Sequence, residues 1–76
     1  MPKLPVVSGR TAAKAFEKLG YVFRRMVGSH MIYKKLGAGT LSIPDHKELD
    51  AGLLRHLIAD AGITVDEFVL LLKADS

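Results

Sequence analysis

The chain has 76 residues, of which 49% are hydrophobic and 25% are charged, with a formal net charge of +3 at pH 7. This composition is typical of a small globular domain and excludes a disordered chain, so we expect a single domain over residues 1–76. The sequence has no cysteine, no signal-peptide pattern and no apolar run of about 18 residues, which predicts a cytoplasmic protein without disulfides, thiolate metal sites or membrane spans.

The charge is distributed unevenly along the chain. Residues 1–47 contain nine basic and two acidic residues, a net charge of +7, whereas residues 48–76 contain two basic and six acidic residues, a net charge of −4. A basic half beside an acidic half predicts a surface that binds a polyanion on one side of the molecule. The alternative is a solvated surface whose asymmetry is accidental.

The first predicted element is a helix from Gly9 to Leu19, with Ser8 as its N-cap and Gly20 as its stop. Apolar residues recur at helical spacing and form one stripe: Ala12, Ala15, Phe16 and Leu19. Basic residues recur every four positions on another face: Arg10, Lys14 and Lys18. Like charges at this spacing repel each other, and an RNA phosphate backbone would relieve the repulsion. This basic line therefore indicates RNA binding, with a solvated helix face as the alternative.

Three short strands are predicted next, at Tyr21–Val27, His30–Lys35 and Thr40–Ile43. The connections Gly28-Ser29 and Gly37–Gly39 are tight turns. Two tight turns in succession predict an antiparallel meander.

Strict alternation divides the first strand between the two faces of the sheet. One face carries Tyr21, Phe23, Arg25 and Val27, and the other carries Val22, Arg24 and Met26. In the second strand, alternation places His30 on the side of Ile32 and Lys34, with the side chain partly facing the helices, unless a bulge at Gly28 turns it elsewhere. The sequence leaves the direction of His30 open between these two.

Two further helices follow the strands. One is predicted from Ala51 to Ala61 with Asp50 as its N-cap, and the other starts at Thr64, where Thr64 and Glu67 form a capping box. The order α-β-β-β-α-α predicts an α+β fold, in which a three-stranded antiparallel sheet is covered by helices on one face. This layout is close to a double-stranded-RNA-binding domain, whose first helix contacts RNA.

His30 is the main candidate for chemistry, at the junction between the Gly28-Ser29 turn and the second strand. Four basic residues flank it: Arg24, Arg25, Lys34 and Lys35. Imidazole takes or gives a proton near neutral pH, RNA supplies its own 2′-hydroxyl nucleophile, and neighbouring cations stabilise charge on the phosphoryl oxygens. Such a nuclease requires no metal or other cofactor. From spacing alone, a structural or merely exposed histidine is the more common case.

Two other polar residues are weaker candidates. His46 follows Pro44-Asp45 and is interpreted as a second acid–base group, a phosphate contact, or a loop histidine that orients Asp45. Ser29 is interpreted as a hydrogen-bond donor to phosphate, a residue that holds His30, or a plain turn residue.

A series of short motifs in a fixed order resembles the HicA toxins, also called the YcfA-type family, of bacterial HicA–HicB toxin–antitoxin pairs. The matching pieces are Lys3-Leu4-Pro5-Val6-Val7-Ser8-Gly9, Leu19-Gly20-Tyr21, Gly28-Ser29-His30, Ile32-Tyr33, Ile43-Pro44-Asp45-His46, Glu48-Leu49, Gly52, Leu54, Ala61-Gly62-Ile63 and Glu67-Phe68. The resemblance implies a fold like the double-stranded-RNA-binding domain and metal-independent cleavage of mRNA. It implies that His30, in the Gly-Ser-His motif, is catalytic. It also implies a HicB-like antitoxin partner, whose complex with the toxin binds operator DNA.

Our main hypothesis is therefore a ribosome-independent endoribonuclease toxin in which His30 acts as base or acid. Lys34, Lys35 and Arg24 or Arg25 hold the phosphate in this hypothesis, and the basic line of the first helix docks the RNA. A non-catalytic RNA-binding module is one alternative. A pure interaction protein is another, because Leu70 and Leu71 leave the third helix apolar on more than one side. One of these leucines completing the core while the other stays exposed is the simpler explanation.

Overall fold

The computed structural model of the protein describes residues 4–74, so Lys3 of the N-terminal motif lies outside the described residues. The elements are α1 (Gly9–Glu17), β1 (Val22–Val27), β2 (His30–Lys35), β3 (Gly39–Pro44), α2 (Ala51–Asp60) and α3 (Val65–Lys73). This order confirms the predicted α-β-β-β-α-α arrangement and the α+β fold. Among the helices within residues 4–74, none combines the length and apolar character needed to cross a membrane.

The helices begin where side-chain caps satisfy the free backbone N–H groups of their first turns. The Ser8 side chain accepts a hydrogen bond from the Thr11 N–H, and Asp50 accepts from the first turn of α2. Thr64 and Glu67 form both hydrogen bonds of the predicted capping box at α3. These local bonds explain why sequence patterns located the helix starts correctly.

The three strands form one antiparallel sheet in the order β1-β2-β3. Gly28 and Ser29 connect β1 to β2, and Val27 pairs directly with His30. Gly28 has a φ of 60° whereas Ser29 has no positive φ, which is typical of a type II′ hairpin turn. This turn fixes the register that starts β2 at His30.

β1 contains a bulge at Arg24. Phe23 pairs with Tyr33 and Arg25 pairs with Ile32, so Arg24 is an extra residue in this strand. An inserted residue reverses the face of everything after it relative to a simple count. The strict alternation predicted for the first strand is therefore wrong, since Phe23 and Arg25 lie on opposite faces of the sheet. No such shift interrupts the described pairing of β2 with β3.

The hydrophobic core lies between one face of the sheet and the helices. Its buried members are Ala12, Ala13, Ala15, Phe16, Tyr21, Met31, Tyr33, Leu41, Ile43, Leu49, Leu54, Leu57, Ile58 and Phe68. Phe16 of α1 packs against Phe68 of α3, with ring centroids 5.3 Å apart. Leu71 packs against this core, whereas Leu70 is 64% exposed. Leu71 thus completes the core while Leu70 stays exposed, which was the simpler explanation for the apolar character of this helix.

The other side of the sheet, which we call the open face, carries no buried side chain from the central part of the strands. Its residues, assigned by strand pairing, are Val22, Arg25, Val27, His30, Ile32, Lys34, Thr40 and Ser42. Ile32 is half-buried and the others are exposed. The open face is therefore an accessible surface of the sheet.

Candidate functional site

His30 is exposed and lies on the open face with Ile32 and Lys34, the neighbours that alternation indicated, and it does not face the helices. The bulge of β1 occurs at Arg24 and not at Gly28, so His30 keeps its regular direction. An imidazole that stands on a sheet surface is accessible to a large, extended ligand such as a nucleic acid strand.

The His30 ring makes one described hydrogen bond, from Nδ1 to the Ser42 hydroxyl at 2.9 Å. Ser42 belongs to β3 and lies opposite Ile32, so it is the diagonal neighbour of His30 on the open face. Reasoning from the sequence missed Ser42. The only feature of the sequence that could have pointed to Ser42 was its position in the third predicted strand. That position becomes informative only when the register between β2 and β3 is known.

Three of the predicted basic residues lie on the His30 side of the sheet or at its rim. Arg25 is diagonal to His30 across the β1–β2 pair, a Cα separation of about 7–8 Å in a regular ladder. Lys34 lies four residues along β2 from His30, about 13 Å at the usual rise per residue. Arg24 and Lys34 line a shallow groove of 390 Å³ together with Val22.

Lys35 points to the opposite side of the sheet. Its Nζ lies 5.8 Å from the centroid of the Tyr21 ring, and Tyr21 is buried in the core. A cation above an aromatic face contributes modestly to stability. The structure therefore separates Lys34 from Lys35, and the prediction that both hold the same phosphate does not fit this arrangement.

The basic line of α1 is exposed, but its two ends bond to the protein. Arg10 donates two hydrogen bonds to Asp45, at 3.0 and 3.2 Å. Lys18 donates from Nζ to the backbone carbonyl of Leu71 at 2.6 Å. Lys14 lies between them and borders a groove on the helix side of the sheet. The three residues share one helix face, as predicted, without forming one uniform patch.

That groove has a volume of 340 Å³ and lies between α1 and the inner sides of β1 and β2. Its residues are Arg10, Ala13, Lys14, Glu17, Phe23, Met26, Met31, Tyr33 and Asp45. Phe23 and Met26 are each 46% exposed. Glu17 accepts a hydrogen bond of 2.8 Å from the Tyr33 hydroxyl. Burial, and then this bond, raise the pKa of Tyr33 to about 12, so its hydroxyl keeps its proton near neutral pH.

The loop after β3 connects the His30 end of the sheet to α1. The Asp45 N–H donates to the Ser29 carbonyl at 2.8 Å, and the Gly9 N–H donates to the His46 carbonyl at 2.9 Å. The hydrogen bond from Arg10 lowers the pKa of the Asp45 carboxyl. His46 is exposed. The backbone carbonyls of His46 and Ser29 therefore accept hydrogen bonds that hold this loop in place. The roles of the two side chains stay predictions.

Within residues 4–74, no group of three or more histidine and carboxylate side chains is placed to hold a metal ion. The open-face groups that can serve this chemistry are instead one imidazole, its neighbouring hydroxyl and two cations: His30, Ser42, Arg25 and Lys34. This set is suited to proton transfer and to contacts with phosphate oxygens.

Comparison with known proteins identifies the family. The sequence model of a protein family, the HicA toxin of bacterial toxin–antitoxin systems, matches residues 9–63, which is more than half of the chain. The matched region runs from the start of α1 to Ile63 in the loop after α2, and it includes the complete sheet. A comparison with curated proteins found no match. The chain belongs to the HicA toxin family of toxin–antitoxin systems.

Proposed function

We propose that this HicA-family protein is an endoribonuclease that cleaves mRNA without a metal and without the ribosome, and that His30 is its acid–base residue. The observation that carries the proposal is the exposed imidazole of His30 on the open face, with Nδ1 bonded to Ser42. Family membership supports the toxin assignment. Arg25 and Lys34 on the same face support an anionic substrate.

The chemistry needs few groups, because RNA carries its own nucleophile. As a base, His30 removes the proton of a 2′-hydroxyl, the 2′-oxygen forms a bond to the adjacent phosphorus, the bond from phosphorus to the 5′-oxygen breaks, and solvent water protonates the leaving 5′-oxygen. As an acid, protonated His30 gives its proton to that leaving oxygen, and solvent water takes the proton of the 2′-hydroxyl. Either step produces a 2′,3′-cyclic phosphate and a 5′-hydroxyl. Arg25 stabilises the additional negative charge on the phosphoryl oxygens.

The remaining predicted residues extend the RNA-binding surface in this proposal. Along the open face and its rim, Lys34 and Arg24 contact phosphates beyond the cleaved one. Basic residues of α1 (Arg10, Lys14 and Lys18) contact more distant parts of the RNA, and Ser29 and His46 add contacts near the His30 end of the sheet. Lys35 lies over the Tyr21 ring on the other side of the sheet and stays outside this surface. Such contacts position the substrate and make binding salt-dependent.

We also propose that a HicB-like antitoxin binds this toxin and blocks RNA cleavage, and that DNA is contacted only through that complex. Membership of a toxin–antitoxin family supports a protein partner. Exposed apolar side chains on three elements offer surface for one: Phe23 and Met26 of β1, Leu36 of the second hairpin and Leu70 of α3.

Incubation of the purified chain with an mRNA in excess EDTA tests the enzymatic proposal. We expect cleavage by the unchanged chain, loss of cleavage in His30→Ala, and full activity in His56→Ala, which removes an exposed histidine of α2. Cleavage by His30→Ala at the unchanged rate contradicts the assignment of His30. Salt-dependent RNA binding by the unchanged chain, without any cleavage, would favour the non-catalytic RNA-binding module.

A further inference from the structure

We infer that Ser42 is the positioning residue for His30: its Oγ accepts a hydrogen bond from the Nδ1–H and keeps Nε2 as the nitrogen that exchanges protons with RNA. The inference rests on the proposed function of His30 as an acid–base group. Its structural basis is the 2.9 Å separation between Nδ1 and the Ser42 Oγ.

The polarity of this hydrogen bond follows from what an acid–base histidine must do. A neutral imidazole has one N–H and one lone pair, and a protonated imidazole has two N–H groups. If the Ser42 hydroxyl donated to Nδ1, Nε2 would carry the hydrogen and have no lone pair with which to accept a proton. If Nδ1–H donates to Ser42, Nε2 is free to accept a proton, and the same bond persists after it has done so. Only this second polarity is compatible with both states of the ring.

The fold fixes the position of Ser42 independently of His30. Its neighbours in β3, Leu41 and Ile43, are 2% and 0% exposed and point into the core. Because side chains alternate along a strand, burial of these two residues places Ser42 on the open face. The hydroxyl is therefore held by a rigid, well-packed strand and not by a mobile loop, which is the arrangement that keeps a catalytic ring in one orientation.

The same strand provides a matched control. Thr40 also presents a hydroxyl on the open face, but it pairs with Lys34 at the far end of β2 from His30. Three variants separate the possibilities. Ser42→Ala removes the hydroxyl next to the imidazole, Ser42→Thr retains it, and Thr40→Val removes a hydroxyl that the structure places away from the ring.

The first measurement is ¹⁵N NMR of the histidine rings in the full chain without RNA, at a pH where the His30 ring is neutral. We expect the Nδ1–H tautomer to predominate in the unchanged chain, in Ser42→Thr and in Thr40→Val, and to lose its predominance in Ser42→Ala. The second measurement is the kinetics of RNA cleavage. We expect Ser42→Ala to lower kcat by about 3- to 10-fold, as for the loss of one hydrogen bond, with KM unchanged and activity recovered in Ser42→Thr.

An Nε2–H tautomer in the unchanged chain overturns the inference, as does a Ser42→Ala variant with unchanged tautomer and unchanged kcat. A fall in kcat that is equal in Ser42→Ala and Thr40→Val also overturns it, because it indicates a general effect on β3. Failure of the proposed function has a different signature. The unchanged chain then cleaves no RNA, while the tautomer measurement still decides whether Ser42 orients the ring.

Discussion

The guanidinium of Arg10 donates two hydrogen bonds to the carboxylate of Asp45, 35 residues away in the sequence. Nε lies 3.0 Å from Oδ1, and Nη2 lies 3.2 Å from Oδ2. The Asp45 N–H in turn donates to the carbonyl of Ser29, in the turn next to His30. This relationship joins α1, the end of β3 and the first hairpin at the His30 end of the sheet. Arg10, predicted as an RNA contact, is thus also part of the internal structure.

We predict that the contribution of Asp45 to stability disappears in acid. The hydrogen bond from Arg10 lowers the pKa of this carboxyl in the folded chain below its ordinary value of 3.8. The stabilisation is therefore fully present above the pKa that the Asp45 carboxyl has in the unfolded chain. It is lost as the pH falls through the lower pKa that this carboxyl has in the folded chain. Urea unfolding should show the unchanged chain to be more stable than Asp45→Asn at pH 7, by an amount that shrinks below the ordinary pKa.

The matched control for this experiment is Asp60→Asn, because the structure describes no ion pair for Asp60 within residues 4–74. The difference in the free energy of unfolding between Asp60→Asn and the unchanged chain should not shrink in acid in the same way. A stability difference for Asp45→Asn that stays constant from pH 7 to pH 3 contradicts the prediction.

Gly9→Ala should be strongly destabilising. A Cβ at position 9 would overlap the backbone carbonyl oxygen of Pro44 and lie 3.0 Å from its carbonyl carbon. Since neither α1 nor β3 can move away without disturbing the core, we expect a loss of about 1–3 kcal/mol or more. Thermal denaturation measures it. In Gly52→Ala the added Cβ meets only the end of the Asp50 side chain, so its change should stay within about 1 kcal/mol. Equal melting temperatures for the two variants would count against this packing argument.

Phe68→Ala should remove a large share of the stability of the domain. α3 lies beyond residues 9–63, yet Phe68 is 0% exposed and packs on Phe16. Truncation of a buried phenylalanine costs about 3–5 kcal/mol, a large fraction of the total for a small domain. Leu70→Ala, at a 64% exposed position of the same helix, should change stability by less than about 0.5 kcal/mol. Denaturant unfolding of the two variants tests whether α3 is integral to the fold; similar midpoints would show that it is not.

Lys34→Gln and Lys35→Gln should differ in their effect on RNA binding. Lys34 lies on the open face with His30, whereas Lys35 lies over the Tyr21 ring on the other side. If Lys34 contacts one phosphate, its removal lowers the slope of log affinity against log salt by about 0.7 for single-stranded RNA. Titrations at several salt concentrations measure this slope. Lys35→Gln should leave the slope unchanged, and a larger effect at Lys35 than at Lys34 would refute the assignment of the RNA to the open face.

The sequence by itself determined the elements and their order, because the signals for them are local. Ser8, Asp50 and Thr64 cap their helices with bonds to N–H groups two or three residues away. The turn at Gly28 depends on a backbone conformation that glycine adopts without strain. Simple alternation after that turn grouped His30 with Ile32 and Lys34, but it left open whether this side of the sheet faces the helices. The His30 motif itself was recognisable through its resemblance to the HicA family.

Only the tertiary structure decided which of the candidate residues meet. The bulge at Arg24 depends on how β1 pairs with β2, and it places Arg25 on the face of His30. The bond between His30 and Ser42 depends on the β2–β3 register and on the buried neighbours of Ser42. Lys18 reaches the Leu71 carbonyl across 53 residues of sequence. Contacts of this kind arise from strand pairing and core packing, which bring together residues that no local spacing connects.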